Sequence, residues 1–266
     1  MYYIEIMINF IKVLIKSIAN YLNYIFNKYF NKNNKILEFP NNYDFYNPEF
    51  DMVNLVPESN NLVKTMIKFL DKYYTDQEFL VVSLSGGIDS MVLISILHKL
   101  KSKYDYKLVT ATIDYSLRSE SKLEAEFTKK YCDKYNIKNH LVTIDGISRK
   151  NGRTEFEEKS RNIRYNLYKE LLKKYNTDMI FVAHHWDDIT ENVFTNFMRG
   201  KNLLDLSVMH TDSIINDVKI VRPFLNHPKT DIYKFAHQFM IPYFKDTTPD
   251  WSNRGKMRRV IFPLLE

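Results

Sequence analysis

Phe79-Leu80-Val81-Val82-Ser83-Leu84-Ser85-Gly86-Gly87-Ile88-Asp89-Ser90 passes from a continuous apolar run through a glycine pair into the helical pattern of Met91–Leu100. The β-branched run predicts a buried strand over Phe79–Leu84. Only six glycines occur in the chain, and two stand together here, so the backbone at 86–87 does something that a Cβ would obstruct. A glycine turn between a strand and a helix start has the physics of an anion site. Backbone N–H groups reach phosphate oxygens unobstructed, Ser85 and Ser90 offer hydroxyls, and the helix end adds positive potential. Asp89 needs its own account, because a carboxylate repels phosphates. Either Mg2+ lies between them or Asp89 caps the helix. The Walker pattern GxxxxGK followed by Ser or Thr is absent.

Outward from this turn the chain alternates. Strands are predicted at Lys107–Ile113, His140–Ile144 and Asp178–Ala183, and helices at Ser121–Tyr135, Glu155–Tyr175 and Asp188–Met198. Short apolar strands alternating with helices predict an α/β fold, a parallel sheet with helices on both faces. Ligands of such sheets sit beyond the carboxyl ends of the strands. Upstream, Leu62, Val63, Met66, Ile67, Phe69 and Leu70 recur at helical spacing, while Pro40, Pro48 and Pro57 punctuate a loop-like stretch over 31–57. The expected organisation is an N-terminal helix and linker over 1–57 and one main domain over 58–266.

Residues 2–30 carry polar side chains at Glu5, Asn9, Lys12, Lys16, Asn20, Asn23 and Asn27, with apolar residues almost everywhere between. That spacing predicts an N-terminal helical extension with a narrow polar stripe and a wide apolar face. Glu5, Lys12 and Lys16 interrupt a membrane span. The apolar face is expected to cover the main domain, a partner chain (a second copy in a homodimer among them) or a membrane surface. The net charge of +6 fits an RNA partner without requiring one. A single cysteine, Cys132, excludes a disulfide framework and any CxxC centre. The N-terminus lacks a basic region and a small-residue cleavage site, so a cytoplasmic location is expected.

After the fourth strand stands His184-His185-Trp186-Asp187-Asp188-Ile189-Thr190-Glu191-Asn192, followed by Met198-Arg199-Gly200. Asp187, Asp188 and Glu191 fall within one helical turn, with Asp188 and Glu191 on one face. Carboxylates so close repel, so a metal ion or a substrate ammonium should sit among them. For Asp187 alone, an acidic helix start favoured by the dipole is the simpler account. Of the seven histidines only His184 and His185 cluster, and adjacent residues rarely share a metal.

The loop Ser85–Ser90 resembles that of the PP-loop ATP pyrophosphatases, which cleave ATP between the α and β phosphates and pass AMP to an acceptor oxygen. The block from His184 to Gly200 resembles the H-H-x-D-D-x-x-E-T and R-G signature of the tRNA(Ile)-lysidine synthetases and related cytidine-2-thiolating enzymes. Further blocks agree in order. Ile113-Asp114-Tyr115-Ser116-Leu117-Arg118 is similar to the family's strand end, and Glu157, Arg161, Arg164 and Tyr165 to its E-x-x-x-R-x-x-R-Y helix. Arg222-Pro223-Phe224-Leu225 is similar to its R-P-L-L. Asp246, Ser252-Asn253-Arg254, Arg258 and Pro263-Leu264-Leu265 are similar to its closing motif. The resemblance spans residues 79–265. Tyr115 and Ser116 replace the family's His-Gly, Ile189 replaces Gln, and Lys201–Met209 keeps only Leu and Met of a glycine-rich stretch.

The resemblance implies an adenine nucleotide alpha hydrolase-like fold and a ligase that uses ATP and Mg2+ to join free lysine to a tRNA cytidine. Thiolating relatives use cysteine pairs or a cysteine nucleophile, and Cys132 stands alone, which favours lysine ligation. It implies that Ser85, Gly86, Gly87, Ile88, Asp89 and Ser90 bind the phosphates and that Ile113 and Asp114 contact adenine or ribose. Asp89 and Asp187 would hold Mg2+. Asp187, Asp188 and Glu191 would orient the lysine ammonium and accept its proton, with Arg118 and Arg199 neutralising phosphate charge. His184, His185, Arg161, Arg222, Arg254 and Arg258 would face the tRNA or the phosphates. Two alternatives stay open: the same chemistry with another nucleophile or RNA target, and a non-catalytic ATP-binding scaffold.

Overall fold

The computed structural model describes residues 56–115, 119–144, 153–202, 209–244, 253–257 and 260. The predicted helix over 2–30 lies outside them. The chain divides into two units, Tyr43–Thr247, and Met1–Asn42 with Thr248–Glu266. Among the described residues no helix is long and apolar enough to cross a membrane.

The first unit begins with α1 (Asn61–Tyr73), whose start is fixed by the Asn60 side chain accepting from Leu62 N–H at 2.9 Å. Its expected apolar face is buried at Leu62, Val63, Met66, Phe69 and Leu70. Then come β1 (Phe79–Ser83), α2 (Ile88–Tyr104), β2 (Lys107–Asp114), α3 (Ser119–Lys134), β3 (Lys138–Thr143), α4 (Arg153–Lys174), β4 (Met179–Phe181) and α5 (Trp186–Met198). Each predicted strand and helix of the alternating series is present, with ends shifted by a few residues. Beyond it lie β5 (Asp212–Ile215), β6 (Val218–Val221) and α6 (Lys229–Gln238), none of which was anticipated. In the other unit the described residues form one short helix, α7 (Asn253–Lys256).

The sheet order is β3-β2-β1-β4-β6-β5. Five strands run parallel, and β5 pairs antiparallel with β6, so the sheet is mixed at that edge rather than parallel throughout. The cause is local. Asn216 and Asp217 both take positive φ, 49° and 59°, the two-residue turn that matches the twist of a hairpin. The chain winds outward from β1 through β2 to β3, then returns to place β4 on the other side of β1. The crevice therefore opens between β1 and β4, where winding reverses.

Alternate residues of β1 face different cores. Leu80 and Val82 join the cluster built with α1, α2, α3 and α6, while Val81 joins Val109, Ile180 and Ile220 against Tyr165, Tyr168 and Leu171 of α4. Helices thus cover both faces, as expected. Cys132 lies in the first cluster, fully buried, with Sγ 3.5 Å from Thr110 Oγ1. Burial pushes its thiol up to about 11, in keeping with a packing role.

Candidate active site

The turn after β1 is held by its own atoms. Leu84 N–H donates to Ala111 O on β2 at 2.9 Å, and Gly86 takes φ +80°. An added Cβ at Gly86 would lie 3.2 Å from Thr128 Cγ2, so both backbone angle and space favour glycine there. Ser90 Oγ accepts from Ser85 N–H at 3.2 Å and donates to Gly87 O at 2.9 Å. Ser85 Oγ lies 3.1 Å from Ser90 Oγ and accepts from Gly87 N–H at 3.3 Å. Both hydroxyls therefore shape the loop. Gly87 is the residue before the first turn of α2, which has no side-chain cap, and Asp89 sits inside that turn instead of capping it. The first N–H groups of α2 consequently have no side-chain acceptor, the arrangement an anion completes. These features fit a polyphosphate.

Because β4 pairs with β1, the segment after β4 meets this loop. His185, 1% exposed, is central: its Nε2 lies 3.6 Å from Asp89 Oδ1 and 3.4 Å from Asp188 Oδ2, and its Nδ1 4.0 Å from Asp187 Oδ1. Asp188 accepts from the His185 N–H at 3.0 Å, fastening the start of α5. Glu191 follows one turn on and is buried beside it on the same helix. His184 turns elsewhere: its Nδ1 accepts from Arg222 Nε at 3.1 Å, which leaves the proton of the neutral ring on Nε2.

Lys229, which no sequence motif marked, completes the group. Its ammonium donates to Asp89 Oδ2 at 2.7 Å, and its backbone N–H donates to Asp187 Oδ1 at 3.3 Å. Asp187 thereby closes the N-terminus of α6, which follows Pro228. Burial holds the Asp187 carboxyl above its ordinary value, against the opposing pull of His185 and Lys229. The sequence signal for α6 was Pro228-Lys229-Thr230-Asp231 ahead of a helical apolar spacing, a helix-start pattern.

Other expected site residues fall differently. Ile113 and Asp114 close β2, half-buried. Tyr115 follows, its phenol accepting from Arg164 Nε at 3.1 Å and from the same guanidinium's terminal nitrogen. Arg161 is exposed and lies over the Tyr165 ring at 4.9 Å. Arg222, 3% exposed, donates to His184, to His210 O at 2.7 Å and to Ser213 Oγ at 2.7 Å, so it braces His184 and β5. Arg199 stands at the far end of α5, exposed and about 18 Å along the helix axis from Asp187, so it is not brought to this group. Arg118, Arg258 and the side chain of Arg254 lie outside the described residues.

Among the described residues, no three His, Cys, Asp or Glu side chains are arranged to hold a metal ion. Mg2+ commonly needs only one or two carboxylates besides substrate phosphates, and Asp89 Oδ1 is buried without a hydrogen-bond partner. Asp89 therefore fits such an ion. Asp187 is already engaged by α6.

A family model described as a PP-loop domain matches residues 58–265. The chain is 27% identical over 196 residues to a tRNA(Ile)-lysidine synthase of Enterococcus faecalis, covering 73% of this chain and 42% of that protein. It is 34% identical over 188 residues to a tRNA(Ile)-lysidine synthase of Orientia tsutsugamushi, covering 70% of this chain and 41% of that one. The chain thus spans less than half the length of these relatives. Its fold is similar to that of the U34-tRNA thiolase NcsA from Methanococcus maripaludis, with a TM-score of 0.58, 18% identity, and coverage of 76% of this chain and 72% of that one.

Proposed function

The chain belongs to the PP-loop domain family, and from that premise we propose that it is an ATP-dependent ligase that adenylates a tRNA cytidine and joins it to lysine. The observation that carries the reading is the meeting of the glycine loop after β1 with His185, Asp187 and Asp188 after β4. Similarity to tRNA(Ile)-lysidine synthases over about 190 residues supports the same choice of substrates.

On this reading the turn of Ser85–Ser90 and the open first turn of α2 hold the β and γ phosphates, and Ile113 and Asp114 border the nucleoside. The cytidine oxygen at C2 bonds to the α phosphorus as the bond to the pyrophosphate oxygen breaks. The lysine ε-amine then bonds to C2, AMP leaves, and the amine proton passes to a carboxylate. Asp188 and Glu191, buried together on α5, are the groups to orient the lysine ammonium and take that proton. Mg2+, when bound at Asp89, would neutralise phosphate charge. A tRNA base must be splayed from its stack to enter.

The test is mass spectrometry of nucleosides from bulk tRNA incubated with the protein, ATP, Mg2+ and isotopically labelled lysine. A labelled cytidine adduct supports the proposal. Pyrophosphate release without an adduct would move it to another nucleophile or RNA target.

A further inference from the structure

Four carboxylates, Asp89, Asp187, Asp188 and Glu191, stand at or beside the place where a triphosphate would bring further negative charge. A site built that way needs a cation of its own. We propose that Lys229 is a phosphate-binding residue, its ammonium bridging Asp89 and the β and γ phosphates of ATP. The proposal rests on the adenylation reading and names a residue that reading did not include.

The position of Lys229 is set by backbone, not by a loose surface chain. Trp186 N–H donates to His227 O at 2.8 Å, and Lys229 N–H to Asp187 Oδ1. Phe244, just beyond α6, donates from its N–H to Gly86 O at 2.9 Å. The segment carrying Lys229 is therefore laced both to the acidic block and to the glycine loop. The Lys229 side chain is 15% exposed, with Nζ 2.7 Å from Asp89 Oδ2 and 5.5 Å above the Tyr233 ring. A pair this enclosed pays for desolvation and returns little as a structural strut. Beside the first turn of α2 it has another use: Asp89, two residues past Gly87, holds the ammonium at the edge of the phosphate loop. An ammonium there removes the repulsion that Asp89 alone would exert on the ligand.

The test is isothermal titration of the full chain with ATP and with AMP, both with Mg2+, for wild type, K229M, K229R and D89N/K229M. Melting of each unliganded protein checks its fold. The expected result is that K229M weakens ATP by about tenfold or more while AMP, lacking the β and γ phosphates, changes by less than about threefold. K229R retains most of the ATP affinity, and in a parallel titration without Mg2+ D89N/K229M binds ATP more tightly than K229M, because no cation then offsets the carboxylate. ATP affinity unchanged in K229M, or ATP and AMP weakened alike, would overturn the proposal. A wild type that binds no ATP would sink both this inference and the ligase reading. A preserved split between ATP and AMP in a protein that forms no lysine adduct would sink the ligase reading alone.

Discussion

Gly86→Ala and Gly87→Ala should differ in stability, although the two residues are neighbours. Gly86 has φ +80°, where a side chain costs about 1–2 kcal/mol. The new Cβ would also meet Thr128 Cγ2 at 3.2 Å and Phe127 Cδ1 at 3.6 Å, a tight contact adding roughly 1 kcal/mol. The sum, about 2–3 kcal/mol, corresponds to a melting point lowered by roughly 4–12 °C for a domain of this size. At Gly87 φ is −70°, and the nearest atom to an added Cβ is Ser85 Oγ at an ordinary 3.5 Å. Gly87→Ala should therefore stay within about 1 kcal/mol of wild type, the weaker helix start being offset by a less flexible unfolded chain. Its effect should appear in ATP affinity, since the methyl stands at the open end of α2. Urea denaturation and ATP titration of both variants test this. Thr128→Ser in the Gly86→Ala background should recover the steric part and leave the torsional part. Equal stability of Gly86→Ala and wild type, or a larger loss in Gly87→Ala, would refute the account of the loop.

Arg222→Met leaves His184 Nδ1, His210 O and Ser213 Oγ without their donor, and should cost about 2–4 kcal/mol in urea denaturation; a loss below about 0.5 kcal/mol would show that the brace carries no strain. Cys132, fully buried and with its thiol pushed up to about 11, should resist alkylation in the native protein at pH 8 and react on unfolding, and Cys132→Ser should keep full adduct formation. Loss of turnover in a folded Cys132→Ser protein would point to thiol chemistry. Asp187, held above its ordinary value by burial, binds its proton more tightly folded than unfolded. Its contribution to stability is therefore full below the unfolded value, near 4, and is lost as pH rises through the folded value. Asp187→Asn, which can still accept from Lys229 N–H, should gain on wild type as pH rises from about 4 to 7; a difference that is flat with pH would contradict the assignment.

The alternation of strands and helices from Phe79 to Met198 was legible because burial on a sheet and burial on one helix face leave different periods in the sequence. The glycine loop was legible for a similar reason: Gly86 meets a backbone angle and a close approach that favour glycine. The hairpin of β5 and β6 is also written locally, in Asn216-Asp217 between two short apolar runs. Arg199 shares a motif with Asp187 yet stands apart from it, because membership of a motif fixes order along a chain, and a straight helix carries its two ends apart.

Sequence alone determined that a glycine loop and an acidic helix start would each follow a strand. Only the tertiary structure decided that those strands are neighbours, that Arg222 is spent on His184, and that a lysine 140 residues beyond Asp89 supplies its counter-charge. Periodicity and turn chemistry act between residues a few positions apart, so they are written in the chain. The pairing of β1 with β4 follows from how the whole sheet buries its two faces, and no short stretch of residues encodes it.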